Sequence, residues 1–244
     1  MRPLSLHPWR VSYRQAVEIQ RQLRPRLRVE PLPADVRLVA GADVAYARAA
    51  HRMLAAVVIV ELPSLQVVEA VEADAPATFP YIPGLFTFRE VPPLLRALER
   101  LETTPDAMLF DGHGLAHPRR FGLACHAGVL LDVPSVGCAK SLLVGEHAPP
   151  GPRRGDAADI VHEGDIVGAA VRTRPGVAPV YVSIGHRVDL ASAVRLVLAT
   201  ARRYRMPEPL RLAHQATTRL RARLGRAGPV VAREYPDFIR EETE

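Results

Sequence analysis

Four apolar residues, Ala107–Phe110, run straight into Asp111, and behind that acid comes the loop Gly112–His113–Gly114–Leu115–Ala116–His117–Pro118–Arg119–Arg120. A buried strand that ends in a carboxylate and opens into a glycine-rich loop is how an α/β protein presents a metal-binding acid at the mouth of its sheet. The cations of the loop suit a phosphate. This segment is the expected centre of an active site.

The surrounding pattern supplies the rest of a sheet. Residues 12–24 read as a helix, with Ser12 as N-cap and Gln15 at the capping-box position. Pro25, Pro31 and Pro33 enforce an extended connector. Strands are expected at 36–47, 53–62 and 65–73, with connections short enough for antiparallel hairpins. A Pro- and aromatic-rich loop at 74–88 leads to a helix at 89–102, in which Pro92 and Pro93 are tolerable only near the first turn. A strand at 106–110, a buried helix at 120–131 and a strand at 134–139 follow. Residues 145–164, polar and rich in Gly and Pro, read as a surface loop. Strand-like runs at 165–173 and 178–184 and helices at 189–205 and 207–226 come next. Three meandering strands, then helix, strand, helix, strand, is the order of a ribonuclease-H-like α/β fold, a mixed sheet of order 3-2-1-4-5 flanked by helices. In that topology the first and fourth strands lie side by side, and Asp43 becomes a neighbour of Asp111. One domain is expected over residues 1–244, with the acidic tail 234–244 fraying.

Composition narrows the class. Hydrophobic residues are 48% and charged residues 24%, ordinary for a soluble globular chain, and no apolar run is long enough to span a membrane. The N-terminus lacks the apolar core of a secretory signal. Cys125 and Cys138 form no CxxC pair, which fits free thiols in a reducing, cytoplasmic compartment. A formal charge of +6 suits a polyanionic partner, although a modest excess spread over many residues is often only solvated surface. Of 32 Lys and Arg residues only Lys140 is lysine. In a chain so biased to arginine, a surviving lysine is either a chance survivor or marks a place where a compact point charge is needed and a planar fork will not serve.

The chemistry gathers around carboxylates. Asp43 lies inside Leu38–Ala45, on a strand face shared with Val39, Gly41 and Ala45. The two nearest, Gly41 and Ala45, are minimal in size and are expected to leave room for an ion and a phosphate. A charged Asp in an apolar strand needs compensation, by solvent, an arginine or a cation. Glu90 opens the helix after the aromatic loop, a position acids favour for the dipole alone. With Asp43 and Asp111 it becomes a third acid. Carboxylates converging on one point repel, and a hard divalent ion relieves them. The loop Phe79–Phe86 is stiffened by Pro80 and Pro83 and tipped by Tyr81 and Ile82, a candidate wedge between stacked bases or an ordinary packed turn. His113, His117 and Cys125 could alternatively ligate zinc, but glycines and Pro118 spoil the helical spacing.

The motifs GADVAY (Gly41–Tyr46), PYIPG with FRE (Pro80–Gly84, Phe88–Glu90), DGHGLAHPRRFGLACHAG (Asp111–Gly128) and PSVGCAKSLL (Pro134–Leu143) together resemble the endonuclease V family. VSIGHRVDLASA and the PEPLRLAH run are similar too, and the resemblance spans roughly residues 8–225. It implies a Mg2+-dependent DNA repair endonuclease, with Mn2+ as substitute. Such an enzyme recognises deoxyinosine and nicks the second phosphodiester bond on its 3′ side, leaving 3′-hydroxyl and 5′-phosphate ends. By motif, Asp43, Asp111 and Glu90 match the metal-binding acids and Tyr81 the strand-separating wedge. His117 and Lys140 match positions near the scissile phosphate. His214 matches a position that supports the metal site. Pro80, Ile82, Pro83 and Arg119 fall with the lesion-binding residues, and Gly84, Gly112 and Gly122 match glycines whose backbone lines the pocket for a flipped base. SVGCAKS and SIGH depart from the commoner TIGVAK-like and SPGH sequences without touching these positions. The expected partner is DNA carrying deaminated bases, bound by a monomer without membrane contact. Inosine-specific cleavage of RNA and a non-catalytic nucleic-acid-binding module are the alternatives. Clustered acids beside phosphate argue against the second.

Overall fold

Strand β1 (Leu38–Ala47) is paired on both sides and organises the molecule. Antiparallel to it runs β2 (Arg52–Glu61), from Leu38 opposite Glu61 to Ala47 opposite Arg52. β2 pairs in the same sense with β3 (Gln66–Pro76). On its other side β1 meets β4 (Ala107–Phe110) in parallel, with Gly41 opposite Leu109 and Ala42 opposite Phe110. β5 (Ser135–Ala139) continues the parallel pairing. The order 3-2-1-4-5 is the one implied by the sequence pattern. In the computed structural model the described residues are 1 and 3–226, so the tail at 234–244 lies outside them.

Beyond β5 the sheet goes on through three antiparallel strands, β6 (Ala157–His162), β7 (Asp165–Val171) and β8 (Val180–His186). The full order among the described residues is β3-β2-β1-β4-β5-β8-β7-β6. β6 falls inside the segment expected to be a polar loop. Only Ile160 of its residues is buried, so the strand carries almost no apolar alternation, and its pairing with β7 holds it.

Helices cover both faces. Helix α1 (Tyr13–Leu23) has the expected capping box: Ser12 Oγ accepts from Gln15 N at 3.3 Å, and Gln15 Oε1 accepts from Ser12 N at 2.8 Å. α2 (Thr87–Leu98) starts two residues earlier than expected, which moves Pro92 and Pro93 out of the first turn and into the helix. α3 (Leu123–Leu131), α4 (Leu190–Thr200) and α5 (Glu208–Arg226) follow. Alternation along the strands divides the core. Val39, Val60, Leu109, Val136 and Val182 pack with Val197 of α4 and Leu210 of α5, whereas Ala40, Ile59, Met108 and Phe110 pack with Leu94 and Leu98 of α2 and Leu130 of α3. Among the described residues no helix is long and apolar enough to cross a membrane.

The space left by Gly41 differs from expectation. A Cβ there would lie 2.2 Å from the carbonyl carbon of Pro209 and 2.5 Å from Leu210 N. Helix α5 therefore occupies that side of β1, and the small side chain admits a backbone, with no room left there for an ion or a phosphate.

Candidate active site

The parallel pairing of β1 and β4 extends one residue past the strand: Asp111 N donates to Ala42 O at 3.3 Å. Asp111 thus stands beside Asp43, the next residue of β1, although 68 positions separate them in sequence. Asp43 is buried, at 7% exposure, and its carboxyl is raised above the usual range. Burial is the main cause. The hydrogen bond from Thr217 opposes it, Asp111 adds to it, and His214 and Lys140 pull the other way. Thr217 Oγ1 donates to Asp43 Oδ2 at 2.6 Å, and His214 Nδ1 lies 3.4 Å from the same oxygen. Both come from the helix seated on Gly41.

Glu90 sits in the first turn of α2, where the dipole favours a charged carboxylate by about 1 kcal/mol at most when exposed. That preference loses here. Burial, then Asp43 and Asp111, push Glu90 up to about 8. Lys140, at the end of β5, pairs with Asp111 Oδ2. Among the described residues no three His, Cys, Asp or Glu side chains form a closed group that could hold a metal ion. Asp111 is engaged by Lys140, and Asp43 by Thr217 and His214. What stands there is an open set of hard oxygen donors in which Asp111 raises Asp43, and both raise Glu90, which is the chemistry a divalent cation answers.

Beside the acids lies a cavity of about 530 Å3, large enough for a base and part of its sugar. Of the residues singled out from the sequence, Tyr81, Pro83, Gly84, Glu90, Asp111, Gly112, His117, Gly122 and Lys140 line it. Asp43, His214, Pro80, Ile82 and Arg119 are not part of its lining. Tyr81 is 70% exposed, with its ring centroid 4.5 Å from that of Phe86. The base of its loop is held by Arg89, which donates to Phe79 O at 3.1 Å and lies over the Tyr46 ring.

The histidines of the glycine loop are not free cations. His117 is 3% exposed, accepts from Arg119 N at Nδ1 and donates from Nε2 to Gly84 O at 2.9 Å. Burial, with Arg119 beside it, pushes it down to about 4, and burial does the same to His113. At neutral pH His117 is an uncharged donor that grips the end of the Phe79–Phe86 loop at Gly84. The zinc alternative finds no support in the geometry. Cys125 is fully buried with its Sγ on Ile184 O, and burial raises its thiol to about 12.

Thr217 escaped the sequence reading: one hydroxyl in an arginine-rich helix carries no signal until the fold sets it against Asp43. Arg205 escaped too. Its guanidinium donates to Lys140 O and Pro179 O, both at 2.7 Å, tying the end of β5 to the start of β8.

The sequence profile of the Endonuclease V family matches residues 21–215. A curated relative named Endonuclease V, from Roseiflexus castenholzii, is 50% identical over 213 residues, covering 87% of this chain and 95% of its own. The crystal structure of the Endonuclease V from Streptomyces avermitilis superposes with a TM-score of 0.86 at 42% identity, covering 89% of this chain and 96% of that one. The fold is shared, at a TM-score of 0.77 and 24% identity over 88% of this chain and 100% of that one, by a Ciona intestinalis Endonuclease V variant crystallised with a 23mer DNA containing an inosine followed by a ribo-adenosine.

Proposed function

The chain belongs to the endonuclease V family, and from that premise we propose that it is a Mg2+-dependent repair nuclease of deoxyinosine-containing DNA. It acts as a monomer of one domain and cuts the second phosphodiester bond 3′ to the lesion, leaving 3′-hydroxyl and 5′-phosphate ends. One observation carries this reading: a base-sized cavity with glycines in its lining opens onto the acids Glu90 and Asp111, with the exposed ring of Tyr81 at its rim.

Tyr81 stacks into the gap left by an extruded nucleotide, and the cavity takes the base. Backbone groups at Gly84, Gly112 and Gly122 read its edge. A pocket lined by backbone distinguishes hypoxanthine from adenine through the exocyclic amine. Asp43, Glu90 and Asp111 would hold the cation. Bound there, it supplies Lewis-acid stabilisation of phosphate charge and hydroxide near neutral pH. Thr217 and His214 orient the Asp43 carboxylate. Lys140 places a point charge beside Asp111, where it can steady a phosphate oxygen. His117 and Arg119 act on the loop carrying Tyr81, through Gly84. The arginine-rich surface holds phosphates without reading sequence.

The test is a duplex with a single deoxyinosine, incubated with and without Mg2+ and mapped at one-nucleotide resolution. A single nick one nucleotide beyond the lesion's own 3′ phosphate, strictly dependent on the ion, is the expected result. Equal cutting of the unmodified duplex, or undiminished cutting in chelator, overturns it. A matched RNA oligonucleotide with one inosine, run in parallel, is expected to be cut more slowly.

A further inference from the structure

Behind the cavity wall one side chain joins two of its sides. Gln20, in α1, is completely buried. Its Nε2 donates to Gly84 O at 3.0 Å and to Phe121 O at 3.2 Å, and its Oε1 accepts from Arg119 Nε at 2.5 Å. Gly84 closes the wedge loop, and Phe121 precedes Gly122, the N-cap of α3. Gly84 and Gly122 both line the cavity. Both amide hydrogens and the amide oxygen are thus committed, one to the loop that Gly84 closes and two to the loop that runs from Asp111 to Gly122. The Gly84 carbonyl also receives His117 Nε2 at 2.9 Å and Arg119 Nη2 at 2.7 Å, so three donors from two elements converge on it. Its backbone is left-handed, at φ +77°, and a Cβ there would lie 2.8 Å from Arg119 Nη2. Wall and clamp are therefore in direct contact.

We propose that Gln20 is a specificity-determining positioning residue: it fixes the span between the Gly84 wall and the Phe121–Gly122 wall, and so sets which bases the cavity accepts. The argument is mechanical. A buried, fully engaged amide has one low-energy placement, because rotating it breaks several bonds in a medium where unmade bonds are costly. Both carbonyls it grips belong to main chain, so their separation follows the amide directly. Gln20 is not itself part of the cavity lining and reaches it only through the Gly84 carbonyl, away from the acids. Its influence falls on fit, and the bond-breaking step itself is left to the acids. The proposal rests on the reading that the cavity receives an extruded base.

The test compares Gln20→Met and Gln20→Glu with the unaltered chain on duplexes carrying deoxyinosine or deoxyuridine. Methionine keeps the length and loses every bond. Glutamate keeps the acceptor for Arg119 and turns an acceptor toward two carbonyls. In both, the kcat/KM preference for the purine lesion is expected to fall about tenfold, mainly through KM, while the Mg2+ concentration for half-maximal nicking stays unchanged. Folded variants with an unaltered preference overturn the proposal. So does a fall in kcat alone together with a shifted Mg2+ requirement, which would mark a role in the acid centre. If neither variant folds, the Gln20 side-chain amide resonances of the 15N-labelled chain decide. They are expected to shift on adding deoxyinosine duplex in Ca2+, and resonances that stay put overturn the proposal. An unaltered chain that shows no preference for deoxyinosine over undamaged DNA rejects the base-pocket reading itself, and that arm separates the two failures.

Discussion

The acid centre and the clamp behind the cavity wall meet in one cleft and are built on opposite plans. At the centre, charges are crowded: burial raises both Asp43 and Glu90, Asp111 adds to each, and Asp43 adds to Glu90. At the clamp, polarity is closed. Gln20 and His117 are buried and uncharged and donate to main-chain carbonyls, and Arg119 divides its donors between the Gly84 carbonyl and the Gln20 amide oxygen. The first arrangement stores electrostatic tension that a ligand releases. The second removes freedom from a wall. Substitutions at the centre should therefore stop the reaction, whereas substitutions around the clamp should alter what is admitted to it.

The largest effect expected from this contrast is at the acids. Asp43→Ala or Asp111→Ala should lower nicking by more than about 10³-fold, with binding of deoxyinosine duplex in Ca2+ retained. Cleavage surviving in either variant would erase the distinction between the two regions. Thr217→Val tests the centre more finely, since it removes one hydroxyl from Asp43 and keeps the shape. A loss of roughly 10- to 100-fold in Mg2+ affinity or rate is expected, read by metal titration of nicking. Tyr81→Ala tests the cavity side. Binding of the lesion duplex in Ca2+ should weaken about tenfold, with the Mg2+ requirement untouched. The smallest effect concerns His126, fully buried against Trp9, Phe88 and Phe121 and 2.7 Å from His7 Nε2. Burial, aided by His7, holds it well below 6.5 in the folded chain. The unfolded chain therefore takes up the proton first. Stability is complete above about pH 6.5 and falls below it by at most about 1.4 kcal/mol per pH unit for this group. Thermal unfolding between pH 7 and 5 should show a smaller loss for His126→Phe than for the unaltered chain. Parallel curves would show that the buried histidine does not govern this region.

The same contrast explains what could be read in the sequence. Asp43 and Asp111 were legible because a charge ending or interrupting an apolar strand conflicts with its surroundings, and the strand order then brings the two together. The singular Lys140 stood out against a background of arginine. Gln20 gave no such conflict, since a glutamine on an amphipathic helix looks like surface until other elements bury it. Thr217 was hidden for the same reason. β6 was missed because pairing, not apolar alternation, makes it a strand. The small residue at Gly41 was noticed and its purpose misjudged: the vacancy holds a helix backbone.

That seating has a consequence for the order of manufacture. A ribosome releases Asp43, Glu90, Asp111 and Lys140 well before it reaches residue 208, where α5 begins. Until α5 emerges and docks on Gly41, the buried carboxylate lacks the hydroxyl that steadies it. A nascent polypeptide therefore carries Asp43, Glu90, Asp111 and Lys140 before any of the support from α5, and the buried carboxylate is steadied only once that helix has been made and seated.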